Sequence, residues 1–310
     1  MFDFKQKKSI KLFALAVFLL ISGGLLAKNI NVKRPIEKGA LEESTYERRN
    51  EKLLYLKYYQ QQAFEKSVYK IRPNQLYKNV RGGVVSHHLL VGRIIAEFFS
   101  TIALSKPETI ILVGPNHKMR GRNEICSTSE SWQTPYGVQE ANKELIKSIG
   151  KKVRLYEDSE IIEDEHSVAG LIPYIKYYMP DVKLVPIVLK GNYEYSSSTK
   201  LGEILRELAM QENAIIVASV DFSHYLTLKK AEEMDGITIR AIKENNKELI
   251  CTMGNDNLDS PPSIITLLSA MEGVEEKKLV VLQHSNSEKI LGQKLEKTTS
   301  YFTILWDQIK

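Results

Sequence analysis

The chain has 310 residues, room for one large α/β domain or two small ones. Its 43% hydrophobic and 26% charged content is that of an ordinary globular protein. The net charge of +5 comes from Lys and Arg interspersed with Asp and Glu, and no basic stripe alternates with aromatics, so no nucleic-acid partner is expected.

The N-terminus reads as a targeting signal. Lys5, Lys7, Lys8 and Lys11 precede an uncharged apolar run of 16 residues from Leu12 to Ala27. A basic start followed by an apolar stretch is the secretory pattern. The run falls between a cleaved signal and a full membrane span of about 20 residues. The reading is a signal peptide or transmembrane anchor over residues 1–28, with the rest of the chain membrane-anchored or secreted, outside the cytoplasm. Residues 29–78 read as a linker followed by an amphipathic helix over 41–64, where Leu53, Leu54, Tyr58 and Tyr59 have helical spacing.

From residue 79 to 310 strand and helix signals alternate. Strands are predicted at 83–86, 109–114, 182–189, 214–220, 278–283 and 299–306. Residues 124–134 read as a short extended segment that ends in the turn Thr134-Pro135-Tyr136-Gly137. Helices are predicted near 89–104, 138–149, 167–178 (with Pro173 as a kink or restart), 198–211, 228–245 and 262–272. Such alternation argues for a single α/β domain with a largely parallel central sheet flanked by helices.

Five of the six histidines lie in four short segments. Gly83 to His88, Ile110 to His117 and Ile215 to His224 are apolar strands that end in polar side chains, and His166 follows the acidic run Glu163-Asp164-Glu165. An open α/β sheet builds its site at the carboxyl ends of its strands. Imidazole is the commonest metal ligand and the usual proton shuttle near neutral pH. Adjacent residues after a strand face opposite ways, so one of His87 and His88 faces the crevice. His117 follows a turn sequence, and a third ligand is needed. Asp259, in a Pro-rich loop before a predicted helix, is the best carboxylate; the alternative is that Asp259 or Ser260 caps that helix. In Asp221-Phe222-Ser223-His224, Asp221 can orient His224 or face the site itself, with His224 as general acid/base. Glu165-His166 offers a second acid/base pair or a substrate contact. Trp132, Tyr136 and Tyr225 are available to wall a pocket. Cys126 and Cys251 form no CxxC spacing, which leaves neither a zinc ribbon nor a redox motif, and the sequence does not say whether they pair.

Together these segments resemble the Memo family, most closely its AmmeMemoRadiSam system protein B branch. The matching stretches are Val84-Val85-Ser86-His87, Ile111 to His117, Thr134-Pro135-Tyr136-Gly137, Asp164 to Ser167 with Leu171-Ile172-Pro173, Asp221 to Tyr225, and Asp259 to Ile264. They occur in family order over residues 80–308. That family is similar to the class III extradiol (LigB-like) dioxygenases, which implies an α/β fold with a metal cleft at the end of the sheet. By this resemblance His87 and His117 are metal ligands. Asp259 falls where some Memo proteins have a metal-binding cysteine. His224 matches the acid/base histidine of the dioxygenases, and Glu165, His166 and Asp221 match other cleft residues. The flanks of His87 depart from the family pattern, which keeps His88 as a rival, and Ala169 stands where the family often has a carboxylate.

Two histidines and one carboxylate suit Fe(II) with open positions. The expected cofactor is therefore a divalent metal, Fe(II) first, with Zn or Mn next and Cu(I) disfavoured. The resemblance implies a metal-dependent oxidoreductase of extradiol-dioxygenase type acting on a small molecule. The alternatives are a metal-assisted hydrolase and a non-enzymatic metal- or peptide-binding module. The branch name adds a functional link to radical-SAM and AMMECR-type proteins.

Overall fold

Short, nearly continuous apolar runs build the middle of the protein. In the computed structural model, which describes residues 52–309, the strands are β1 (Leu53–Leu54), β2 (Val80–Val85), β3 (Thr109–Pro115), β4 (Ile125–Ser127), β5 (Ser131–Thr134), β6 (Gly137–Gln139), β7 (Tyr156–Glu157), β8 (Lys183–Leu189), β9 (Ala214–Ser219), β10 (Lys277–Asn286) and β11 (Ser300–Gln308). The α-helices are α1 (Gln61–Val68), α2 (Gly92–Ile102), α3 (Lys143–Gly150), α4 (Ser159–Glu163), α5 (His166–Ala169) and α6 (Ile172–Tyr178). They continue with α7 (Tyr195–Gln211), α8 (Leu228–Lys243), α9 (Lys247–Cys251), α10 (Pro261–Glu272) and α11 (Ser287–Leu291).

Eight strands form one sheet in the order β10-β11-β2-β9-β3-β8-β4-β7. The four central strands β2, β9, β3 and β8 are parallel. The flanks bring antiparallel pairings, β10 with β11, β11 with β2, and β4 with β8. At the far edge β4 and β7 pair in parallel again, so the result is a mixed α/β domain with a parallel centre and antiparallel pairings on either side of it.

The central strands are apolar throughout because both of their faces are covered. Ile111, Val113 and Ile216 pack with α3, α7 and α10 on one face. Their neighbours Ile110, Leu112, Ile215 and Val217 pack with α1, α2 and α6 on the other. Side chains of a strand point alternately to opposite faces, so each strand serves both cores.

Three expectations need correction. The helix expected over 41–64 is not formed in its described part: Leu53 and Leu54 pair in parallel with Ser131 and Trp132, and the helix α1 begins only at Gln61. Burial decides this, since Leu54 and Phe64 both enter the core beside α2, and tertiary packing overrides a helical spacing. Residues 53–68 are therefore part of the domain rather than a linker into it. The helix expected at 138–149 starts at Lys143, because Gly137–Gln139 first folds back on Trp132–Thr134 and Asn142 then caps the helix by accepting from Leu145 N. Among the described residues no helix is long and apolar enough to cross a membrane, so the expected transmembrane helix is not found there. The run from Leu12 to Ala27 that prompted it lies outside the described residues.

Pro173 restarts rather than kinks a helix: α5 ends at Ala169, and Pro173 sits at the start of α6. Cys126 is buried, Cys251 is exposed, and the two are not bonded to each other.

Candidate metal centre

Three adjacent parallel strands end at one level. Val85 of β2 pairs with Ser219 of β9, and Val113 of β3 with Ala218 of β9. The residues that follow therefore converge: His87 after β2, His117 after β3, Asp221 after β9. The helix α5 lies against the end of β3, where a Cβ on Gly114 would stand 2.7 Å from Ser167 Oγ. Only a residue without a side chain lets α5 approach this closely, which brings Glu165 and His166 to the same place. The loop before α10 supplies Asp259. Ser260, not Asp259, is the helix cap, with its side chain accepting from Ser263 N and prolines at the first turn. That frees the Asp259 carboxylate to turn into the cleft.

Asp259 Oδ2 lies 3.2 Å from His87 Nε2 and 3.4 Å from His117 Nε2. Asp221 Oδ2 is 3.7 Å from His87 Nε2. The His166 ring stacks on His117 with centroids 4.2 Å apart and stands 5.1 Å from His87. Potential ligand atoms of His87, His117 and His166, and of His87, Asp221 and Asp259, fall within 4.8 Å of one another. This His/Asp group could hold a metal ion.

The partners of the two rings fix a proton on each Nδ1. His87 Nδ1 is 3.0 Å from Ser219 Oγ, and Ser219 Oγ donates its only hydrogen to Ser167 O at 2.6 Å. Ser219 can then only accept from His87, so Nδ1 carries the proton. His117 Nδ1 is 2.8 Å from Glu165 Oε1, and a carboxylate only accepts, so Nδ1 of His117 is also protonated. Both rings thus turn Nε2 towards Asp259. A fixed Nδ1–H donor to a hydroxyl or carboxylate, with Nε2 left as the ligand atom, is how metal-binding histidines are oriented.

Charge follows geometry. Burial works against the charged form of His87, but the carboxylates of Asp221 and Asp259 outweigh it and raise its pKa above the ordinary value. Burial likewise opposes charge on His117, yet hydrogen bonds to Asp259 and Glu165 push it up to about 10. Asp259 is buried, which favours its neutral form, but His87 and His117 hold it well below the usual carboxylate range. Glu165 is held low in the same way, against its burial, by His117 and His166. Asp259 Oδ2 accepts from Asp221 N at 3.3 Å, and protons on the two Nε2 atoms would face the same oxygen. Its other oxygen, Oδ1, is buried and has no hydrogen-bond partner among the described residues.

The remaining singled-out residues are placed as follows. His88 turns away, its Nδ1 2.6 Å from Tyr301 Oη and its ring stacked on Tyr301. Asp221 does not orient His224; its Oδ1 accepts from His87 N at 3.1 Å, and its carbonyl accepts from Asp259 N. His224 joins neither group of potential ligands, and its Nδ1 is buried with no hydrogen-bond partner among the described residues. The acidic run divides: Glu163 and Asp164 bind Lys57 at the surface, while Glu165 turns inward and caps α5. Trp132 is core, and Tyr225 is exposed.

Two residues were not anticipated. Ser219, the last residue of β9, fixes the His87 ring; its only sequence signal was its place two residues before Asp221. Asp235 of α8 is buried, accepts from Ser223 Oγ at 2.6 Å, and lies 2.8 Å from His284 Nε2. It braces the loop that carries Asp221 and His224 from behind, and an isolated Asp in an amphipathic helix gives no sign of that.

The class is thus a mixed α/β protein with a histidine–carboxylate group at the ends of its parallel strands. The chain belongs to the Memo-like family, whose pattern matches residues 44–305. A MEMO1 family protein of Aquifex aeolicus is 30% identical over 231 residues, 72% of this chain and 82% of its own length. One from Pyrobaculum aerophilum is 31% identical over 243 residues, 73% of this chain and 83% of its own. Among solved structures, an uncharacterized protein of Escherichia coli K12 shares the fold, with a TM-score of 0.52 at 12% identity over 73% of this chain and 99% of that one.

Proposed function

We propose that the chain binds one divalent transition metal through His87, His117 and Asp259 and works as an oxidoreductase of the extradiol-dioxygenase type on a small molecule. The observation that carries this reading is the pair of imidazole Nε2 atoms, oriented by Ser219 and Glu165, that meet at one oxygen of a buried aspartate. The spacing fits. Two atoms each about 2.1 Å from one ion stand about 3.0 Å apart at a right angle and about 3.4 Å at a tetrahedral angle. The unpartnered Asp259 Oδ1 adds a second oxygen that lacks a donor. Two imidazoles and a carboxylate favour Fe(II), then Zn or Mn.

Once bound, the metal would act as a Lewis acid towards substrate oxygens and, as Fe(II), supply redox chemistry. Glu165 Oε1 is hydrogen-bonded to His117 Nδ1 and lies 3.2 Å from His166 Nδ1, so the His166 Nε2 is the atom left to exchange a proton with a substrate. His166 is 40% exposed at its side chain, so a substrate can reach it. His224, with an unpartnered Nδ1, is the second group able to move a proton. Asp221 fixes the backbone of His87 and so the position of that ring.

The test is anaerobic loading of the full chain with Fe(II), metal analysis, and oxygen uptake with catechol and alkylcatechols. One equivalent of metal and metal-dependent oxygen uptake support the reading. Metal uptake without turnover would leave a binding role only. A chain that takes up no divalent ion would end the proposal.

A further inference from the structure

Beside the histidine group lies an apolar cavity of about 270 Å³ lined by Tyr58, Tyr59, Phe64, Leu89, Leu90 and Tyr174 among others. Its walls come from three places, one of them the start of α6 with Pro173 and Tyr174. Leu89 and Leu90 stand on the turn that directly follows His87 and His88. The tyrosines at 58 and 59 and Phe64 come from the segment before the sheet.

That segment is tied to the residues that carry His166. Tyr55 N donates to Glu163 Oε1 at 2.7 Å, and Lys57 Nζ lies 3.1 Å from Glu163 Oε2 and 3.3 Å from Asp164 Oδ1. Tyr58 Oη donates to Asp164 O at 2.8 Å, and its ring stands 5.8 Å from the His166 ring. One wall of the cavity is therefore also a neighbour of the histidine group.

The tyrosines present their rings rather than their hydroxyls. Tyr58 Oη is spent on Asp164 O, Tyr59 Oη on Tyr136 Oη, and Tyr174 Oη on Ser67 Oγ. No lysine, arginine or carboxylate lines the space. At the mouth Leu89 and Leu90 are exposed, at 40% and 37%. An apolar cavity of about 150 Å³ already takes up benzene, so this one has room for a ring with a substituent or a short branched chain.

We propose that this cavity is the specificity pocket of the metal centre, and that it takes an uncharged hydrocarbon group of a substrate whose polar end meets the histidines. The proposal rests on the metal-centre reading above. It makes Tyr58, Phe64, Leu89 and Leu90 the residues that select the substrate. A charged group in the same position would lose its water and meet no opposite charge, since Gln60 is the one lining side chain that ends in an amide and none is ionic.

The test uses the full chain and two probes, toluene and 4-methylphenol, followed by NMR titration with and without bound Zn(II). Ala63→Trp fills the cavity from an exposed position on α1, and Leu90→Arg puts a charge at its mouth. Toluene should bind saturably whether or not metal is present, with contacts to Phe64 and Tyr174, and should lose at least about tenfold in affinity in both variants. Zinc uptake, measured separately, should be the same in both variants as in the unmutated chain. The hydroxyl of 4-methylphenol should improve binding only in the zinc-loaded chain. No saturable toluene binding, or equal binding in both variants, overturns the pocket. An equal gain from the hydroxyl with and without zinc overturns its union with the centre. Failure to take up zinc at all would instead be a failure of the metal reading, and the toluene titration would still judge the cavity.

Discussion

Glu165→Gln separates an oriented metal ligand from a histidine that is merely nearby. Glu165 Oε1 accepts from His117 Nδ1 at 2.8 Å and from Ser167 N at 3.1 Å, and lies 3.2 Å from His166 Nδ1; Oε2 accepts from His117 N at 2.9 Å. Glutamine keeps one acceptor in place of two. If its oxygen stays with the His117 ring, its NH₂ meets the His117 N–H donor, and a buried donor left unpaired costs about 1–3 kcal/mol. If the amide turns over, the NH₂ faces His117 Nδ1 and drives the ring proton to Nε2, the atom that should carry the metal. Either way the ligand is worse oriented or wrongly protonated. Loss of such a supporting partner weakens metal affinity about 10–100-fold, or about 1.4–2.7 kcal/mol. Anaerobic competition of Fe(II) against a chelator, repeated with Zn(II), reads the affinity, and circular dichroism confirms that the variant folds. Glu163→Gln is the control, since Glu163 lies two residues earlier and its carboxylate pairs with Tyr55 N and Lys57 Nζ rather than with a histidine. A folded Glu165→Gln chain that binds both ions as the unmutated chain does would refute the assignment of His117 as a ligand.

Four further outcomes follow from the same geometry. Asp259→Cys should keep metal binding but move its preference from Fe(II) towards Cu(I) and Zn(II), because a thiolate is the softer ligand; unchanged selectivity in parallel metal competitions would remove Asp259 from the ligand set. Gly114→Ala should weaken metal uptake and cost about 1–3 kcal/mol in urea unfolding, since its Cβ would stand 2.7 Å from Ser167 Oγ and push α5 away. Zinc uptake at neutral pH should release protons to an indicator dye, because His117, pushed up to about 10, is protonated in the metal-free chain. The sign is fixed: acid favours the protonated ring, so affinity falls as pH falls, by about tenfold per unit for each proton expelled. Asp235→Ala should destabilise the chain by about 1–3 kcal/mol, since it leaves the buried Ser223 hydroxyl only the longer bond to Ala231 O and takes the carboxylate from His284, while metal uptake is retained.

How far the site could be read from the sequence depended on whether a position announced itself locally. Apolar runs that stop at a histidine or aspartate mark strand ends, so His87, His117 and Asp221 could be placed at one rim of a sheet before any fold was known. Asp259 stood out as the carboxylate in a Pro-rich loop before a helix, but whether it or Ser260 caps that helix was open until the structure showed Ser260 in that place. The choice between His87 and His88 was not legible, since it rests on which face of β2 meets Tyr301. Ser219 and Asp235 were silent because their partners lie 132 and 49 residues away along the chain. The segment at 53–68 misled for the opposite reason: its helical spacing was real, but the burial of Leu54 against the domain decided its conformation. Local patterns thus gave the donors, and the long-range hydrogen bonds that aim them had no signature in the chain.

Those hydrogen bonds also bear on whether the fold needs its metal. A buried aspartate facing two neutral imidazoles would be an uncompensated charge, and taking a charge out of water without a partner is costly. Here the rise of His87 and His117 above the ordinary imidazole value supplies the compensation, with protons on Nε2 facing Asp259. Metal uptake would exchange those protons for a cation, and neither state would leave Asp259 Oδ2 alone. The metal-free chain should accordingly keep its fold, unlike domains that unfold when their structural zinc is removed. Chelation should leave the far-ultraviolet circular dichroism unchanged and lower Tm only by the amount that ligand binding to the folded state confers at the metal concentration used. Cooperative unfolding on chelation at neutral pH would show that the protons do not stand in for the metal, and would overturn this account of the charge balance at Asp259.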